Sequence, residues 1–311
     1  MKWSLSSHNM FRRCQRQYYF AYIAANHLAK KEYVRREAYL LKQVKQLSPW
    51  RGTVIHQGIK KFVIPYLEQR KSINWDNVKN KTIELVKKQL EFSRTRKFRE
   101  LGITKANFDD EFCIIAEHEN GNEIDEDVID KVRVDICTCF DNLASQTEMI
   151  SYLQGRKFYL PERFFSHQYE NVRIHIAPDL ILPRAYGCPS IIDWKVEQDY
   201  THGHHKLQVA LYAWVLCKEN IFDVQKPEDI ELYEVQLLNS DVICHDCSST
   251  VFEELEDFMF QSIQEIRSLC GDHKYANQNI EDYEFARSPN SCLYCSFQKL
   301  CKELSNAKSF N

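Results

Sequence analysis

The feature that most constrains this chain is a short apolar run that ends in charge, Ile191-Ile192 followed by Asp193-Trp194-Lys195. β-Branched residues before an acid read as a strand. In a strand, residues i and i+2 face the same side, so Lys195 stands beside Asp193. Upstream, Val172-Arg173-Ile174-His175-Ile176-Ala177 reads as a second strand and delivers Asp179. Both strands are expected to end in their carboxylates. Neighbouring strands lie about 5 Å apart, so Asp179 and Asp193 can share a divalent cation with the lysine alongside. That combination can activate water. Downstream, Gln208 and Tyr212 are four residues apart in a helix-like stretch, which puts them on one face.

Charge is distributed unevenly. Residues 1–100 hold 23 Lys and Arg against 7 Asp and Glu, whereas the remainder holds 18 against 37. The overall charge of −3 therefore hides a basic first third, densest at Lys79, Lys81, Lys87, Lys88, Arg94, Arg96, Lys97 and Arg99. Such a run suits a polyanion and reads equally as a solvated helix face. Hydrophobic content of 44% and charged content of 27% are those of a soluble globular protein. No apolar stretch is long enough to span a bilayer, so no membrane association is expected. The first eight residues lack the apolar core of a signal peptide, which leads to an expectation of a cytoplasmic protein. In that compartment twelve cysteines point to metal ligands or buried thiols rather than disulfides.

In chain order, Ser6 or Ser7 is expected to cap a helix carrying Met10, Phe11 and Cys14, with Arg12, Arg13 and Arg16 interleaved before Tyr18-Tyr19-Phe20. The mixture can meet nucleic acid or form a buried aromatic face. Ser48-Pro49-Trp50 opens a helix whose apolar positions leave His56 readable as a packed core histidine. Two amphipathic helices are expected over 75–101 and 125–143, separated by a 107–122 loop, as parts of a helical insertion at 70–155. On the second, Cys137 and Cys139 point in different directions and read as core thiols. Glu162 follows Pro161 at the start of the core, 156–240, and also reads as a surface glutamate. Phe164-Phe165 and the stretch from Val172 form a hairpin, and Pro178, lacking an N–H, ends or bulges the strand before Asp179. The His202, His204 and His205 loop lacks a full zinc set, and its histidines are expected to face solvent. A strand at 230–238 and a helix at 251–269 complete the packing.

Four cysteines lie near the chain ends: Cys14, then Cys292, Cys295 and Cys301. Zinc favours tetrahedral thiolates, and Cys244-His245-Asp246-Cys247 can pair with the terminal C-x-x-C in a zinc arrangement. No G-x-x-x-x-G-K-[ST] phosphate loop occurs, so ATP-driven unwinding requires another polypeptide.

Together Pro178-Asp179, Asp193-Trp194-Lys195, Gln208-Val209-Ala210-Leu211-Tyr212 and the G-x-x-x-H segment from Gly52 to His56 resemble the RecB-like branch of the PD-(D/E)XK nuclease superfamily. Ser6, Phe11 and Cys14, with Cys292, Cys295 and Cys301, resemble the iron–sulfur members of that branch, the AddB-like and CRISPR-adaptation nucleases; Gln15 stands where they carry proline. The resemblance implies an α/β fold of one nuclease domain over 1–311. Its mixed sheet would be flanked by helices, with an iron–sulfur clasp formed by 1–20 and 285–303. It implies catalytic roles for Lys195, Asp179, Asp193, Gln208, Tyr212 and Glu162, and Mg²⁺ or Mn²⁺ held by His56, Asp179 and Asp193. It also implies a [4Fe–4S] cluster on the four cysteines. The activity implied is a DNA nuclease, an exonuclease on single strands or DNA ends in repair, recombination or defence, with a separate helicase or CRISPR-adaptation partner. The alternatives are a DNA-binding scaffold subunit of a helicase–nuclease and a zinc-stapled interaction protein.

Overall fold

The computed structural model describes residues 1–184, 188–196 and 202–306, without the side chains of 202–204 and 306. Of the histidine-rich loop, Tyr200 and Thr201 and the side chains of His202 and His204 therefore lie outside the described residues. The chain divides into two compact units, one from residues 1–47, 89–123 and 260 onward, the other from 48–88 and 124–259. Both expected clasp segments belong to the first unit and the expected 156–240 core to the second, while the 70–155 insertion is split between them.

In the first unit, strand β1 (Lys2–Trp3) leads into a helix over Leu5–Arg13 that is capped by Ser4, not by Ser6 or Ser7. Ser4 Oγ accepts the Ser7 N–H at 3.2 Å and Ser7 Oγ accepts the Ser4 N–H at 2.9 Å. Serine thus fills the place where a capping box usually carries glutamate. Beyond the extended Cys14, the aromatic run is core: Phe11 meets Tyr18 edge-on at 5.3 Å, and Phe20 stacks on Phe297 at 5.5 Å. Arg16 is only 3% exposed. It donates to Tyr283 O at 3.1 Å, Glu281 at 2.8 Å and Ser305 Oγ at 3.2 Å, and lies over the Phe285 ring at 3.8 Å. Arg16 is therefore a bolt between early and late segments rather than a nucleic-acid contact. Arg12 pairs with Glu265 at 2.5 Å. Strand β2 (Val44–Lys45) pairs in parallel with β3 (Ile114–Ile115), which lies inside the expected 107–122 loop.

The helix expected over 75–101 ends at Arg94, because Arg96 turns left-handed at φ 52°. Its basic run is partly spent on local pairs. Lys79 meets Asp76 at 3.2 Å and Asp141 at 2.8 Å, Arg94 meets Glu91 at 2.5 Å, and Arg99 meets Glu37 at 2.6 Å and also Glu119. Lys81 and Lys87 remain exposed.

In the second unit the strands are β4 (Leu160–Pro161), β5 (Phe165–Tyr169), β6 (Val172–Ile176), β7 (Leu180–Leu182), β8 (Ser190–Lys195), β9 (Glu231–Gln236) and β10 (Asp241–His245). β5 and β6 form the expected hairpin, and the chain leaves the strand before Pro178. The five-stranded sheet runs β10-β9-β8-β7-β4, antiparallel throughout except for the parallel pair β8–β9. β10 is additional to the expected strands. It follows a tight turn in which Ser240 takes φ 64°. The helix joining β8 to β9, His202–Lys218, buries Val209, Ala210, Leu211, Ala213, Trp214, Val215 and Leu216. A helix apolar on so many sides needs cover on both, and it contacts the β5–β6 hairpin as well as β8 and β9. Among the described residues no helix is long and apolar enough to cross a membrane.

Candidate active site

Sheet register builds the site. Leu180 is opposite Ile192 in the antiparallel β7–β8 pair, so one further step sets Asp179 opposite Asp193. Asp179 therefore precedes its strand instead of ending one, and antiparallel pairing still brings it to the charged end of β8. On the other side of β7, the Glu162 N–H donates to Asp179 O at 3.0 Å, continuing the β4–β7 register. β9 sets Glu234 opposite Asp193. Four carboxylates thus form one row across four strands.

His56 comes from the helix Leu47–Gly58, and its Nδ1 lies 3.2 Å from Asp179 Oδ1. Burial alone would lower the imidazole pKa, but Asp179, and beyond it Asp193, raise it above its usual value. The Trp194 N–H donates to Asp179 Oδ2 at 2.8 Å. For Asp179, burial works upward, yet His56, that backbone donor and Lys195 hold the carboxyl below its ordinary range. Asp193 is pushed the other way, well above the carboxylate range, by burial and then by the Asp179 charge, against the pull of Lys195. The two acids are therefore unlike. A second negative charge is disfavoured in this space until a cation joins it.

Lys195 Nζ lies 2.6 Å from Asp193 Oδ2 and donates to Gln208 Oε1 at 2.9 Å. Gln208 Nε2 in turn reaches Asp193 Oδ1 at 3.4 Å and Tyr212 Oη at 2.6 Å. Asp193 Oδ2 is held by the Lys195 ammonium. Burial, and then Asp193, keep the Tyr212 phenol far from ionising. Four residues chosen for their spacing are thus brought into one polar ring, with Asp179 and His56 alongside. Hard carboxylate oxygens and an imidazole suit Mg²⁺ or Mn²⁺, and a cation would relieve the repulsion by which Asp179 opposes the ionisation of Asp193. Among the described residues, no three His, Cys, Asp or Glu side chains are gathered around one point as ligands of a single ion.

Glu162 lies on the same pocket as His56, Asp179 and Trp194, but its carboxylate is on Lys60 Nζ at 2.6 Å. Lys60 was not expected at the site, although it is four residues beyond His56. The sequence also gave no warning of the buried Glu234. It accepts from His205 Nδ1 at 3.0 Å and His245 Nε2 at 2.8 Å, and from Gln236, so His205 is a buried helix residue rather than a solvent-facing loop histidine. His245 is therefore engaged by Glu234, and Cys244 beside it is exposed. Arg51, on the same helix as His56, is a further unexpected contact. This buried residue pairs with Asp135 at 2.5 Å and donates to Val196 O at 3.0 Å, bracing the end of β8.

In the first unit, Cys14, Cys292, Cys295 and Cys301 are free, half-buried thiols. Burial pushes Cys295 up to about 11, and Cys14, Cys292 and Cys301 each add to that rise. Burial also raises Cys301, with Cys14 and Cys292 contributing and Arg16 opposing. Cys295 and Cys301 thus each lie within electrostatic reach of Cys14 and Cys292. Gln15 Oε1 accepts the Glu284 N–H at 2.9 Å, a use for glutamine where the resembling nucleases have proline.

Compared with known families, residues 2–302 match the PD-(D/E)XK nuclease superfamily. The chain belongs to that superfamily. No curated protein matches it. Among solved structures, the crystal structure of SSO0001 is similar at 17% identity, covering 70% of this chain and 93% of that one with a TM-score of 0.31. The mixed α/β sheet flanked by helices fits the PD-(D/E)XK fold, and superfamily membership makes this a chain of nuclease type.

Proposed function

We propose that this PD-(D/E)XK protein is a Mg²⁺- or Mn²⁺-dependent deoxyribonuclease that acts on single-stranded DNA or DNA ends. The observation that carries the reading is Lys195 Nζ held between Asp193 Oδ2 and Gln208 Oε1, beside Asp179. A divalent cation on Asp179, Asp193 and His56 would neutralise phosphate charge and make bound water acidic. Lys195 orients the attacking water and stabilises charge developing on the phosphate, because its ammonium is fixed from two sides. Gln208 fixes that ammonium, and Tyr212 fixes Gln208. The His56 imidazole and the Trp194 N–H hold the two Asp179 oxygens in place.

A [4Fe–4S] cluster on Cys14, Cys292, Cys295 and Cys301 closes the first unit in the same reading. The effect of Cys14 and Cys292 on Cys295 and Cys301, and the Arg16 and Gln15 contacts to residues 281–285, support it. A cubane distributes its thiolates over four irons, so its ligands need not converge on one point as they do around zinc.

The test is cleavage of end-labelled single- and double-stranded DNA, each end blocked in turn, with Mg²⁺ or Mn²⁺ supplied. Lys195→Ala is expected to lose hydrolysis while keeping its fold and most DNA binding, and Asp179→Ala to lose turnover and active-site metal affinity. Unchanged turnover in folded Lys195→Ala would remove the assigned role.

A further inference from the structure

The Lys60–Glu162 pair stands apart from the catalytic ring and is not needed to build it. The histidine helix continues past Gly58 as a widened π turn over Ile59–Val63, just before Pro65. Proline lacks an N–H and its ring crowds the carbonyl four residues back, so a wider turn is a natural way for the helix to reach it. Lys60 consequently leaves the helix one turn beyond His56 and lines the same pocket as His56, Glu162, Asp179 and Trp194. Glu162 is placed by its own backbone. At φ 48° it is left-handed as the chain leaves β4, with its N–H on Asp179 O.

We infer that Lys60 is a substrate-binding residue, on which a phosphodiester group of the DNA strand replaces the Glu162 carboxylate. This rests on the nuclease reading. Three observations lead to it. The pocket holds Glu162 and Asp179, carboxylates that repel a polyanion. Lys195 is committed to Asp193 and Gln208 and is 12% exposed, whereas Lys60 and Glu162 are each 40% exposed. An ion pair so accessible to water contributes little, so a phosphate oxygen can take the ammonium at little cost. Finally, with the pair closed the cavity measures about 10 Å³, room for roughly one water and none for a phosphate.

The exchange predicts opposite effects for its two partners. The measurement is fluorescence anisotropy of a labelled single-stranded oligonucleotide with the anaerobically purified chain 1–311 in EDTA, across a salt series. Lys60→Gln should weaken binding several-fold and reduce the slope of log K against log salt by about 0.7, the loss of one phosphate contact on a single strand. Glu162→Gln should tighten binding several-fold without flattening that slope, because the ammonium is released from its internal partner. Unchanged slope in Lys60→Gln, or no tightening in Glu162→Gln, overturns the exchange. A wild-type protein that binds and cleaves DNA while both variants match it overturns this inference alone; one that neither binds nor cleaves overturns the nuclease reading with it. Both substitutions are at half-exposed positions, and circular dichroism with a thermal melt checks that each variant is folded.

Discussion

Arg51 is the residue whose loss should be felt furthest from its own position. Its guanidinium is 10% exposed and Asp135 is 12% exposed, with 2.5 Å between them, and the second arm holds Val196 O at 3.0 Å. Arg51→Leu leaves Asp135 charged, enclosed and unpaired. Breaking a buried pair in this way costs about 3–5 kcal/mol, and an orphaned carbonyl adds up to about 1–3 kcal/mol where water cannot reach it. Because water entering one vacancy would serve both groups, the expectation is about 4 kcal/mol, not the full total. Replacing both partners with leucine should recover most of that loss, since well-packed apolar groups substitute for buried ion pairs at little net cost. Urea unfolding followed by tryptophan fluorescence is suitable, because Trp50, Trp75, Trp194 and Trp214 all belong to the second unit. Turnover measured where the single variant is still folded should also fall, because Val196 directly follows β8 and its Lys195. A cost below about 1 kcal/mol in Arg51→Leu, or a double variant no more stable than the single, would refute the brace.

Other perturbations test separate parts of the fold. A Cβ at Gly58 would stand 2.6 Å from Thr82 Oγ1 and 2.8 Å from Phe140 Cζ, so Gly58→Ala should destabilise by about 1–3 kcal/mol through overpacking, visible as a lower melting temperature. Glu234 would be raised by burial, but hydrogen bonds from His245, His205 and Gln236 outweigh this and leave its pKa lowered. Its folded pKa lies below its unfolded one, so the stability it contributes is present above the ordinary glutamate value, about 4.3, and is lost as pH falls through the folded value. Glu234→Gln should flatten that acid limb in a stability–pH series, and an unchanged limb would assign it to other groups. Cys14→Ala should lose most of the iron and acid-labile sulfide of anaerobically purified protein and lower its thermal stability. Stoichiometric zinc without sulfide in the wild type would instead assign the four cysteines to zinc.

What the sequence made legible were pairs within one element. Asp193 and Lys195 are two residues apart on a strand, Gln208 and Tyr212 four apart on a helix, and in both cases periodicity alone predicts the shared face. The contacts that escaped prediction join residues far apart in sequence: Arg51 to Asp135, Lys60 to Glu162, and Glu234 to His205. No local period encodes those distances. Asp179 falls between the two kinds. Its carboxylate was legible from the Pro178 break, but a strand can approach a site from either direction, and only the β7–β8 pairing decides that this acid stands at a strand's beginning. Once that register is fixed, the row from Glu162 through Asp179 and Asp193 to Glu234 is forced, since cross-strand neighbours share a face. The environments then divide the four acids. Glu162 is half-exposed and balanced by a lysine, Glu234 is enclosed between two imidazoles, and the central pair has His56 and Lys195 to offset two charges. The centre of the row is therefore where an added cation would gain most, for the same electrostatic reason that Asp193 resists ionising beside Asp179.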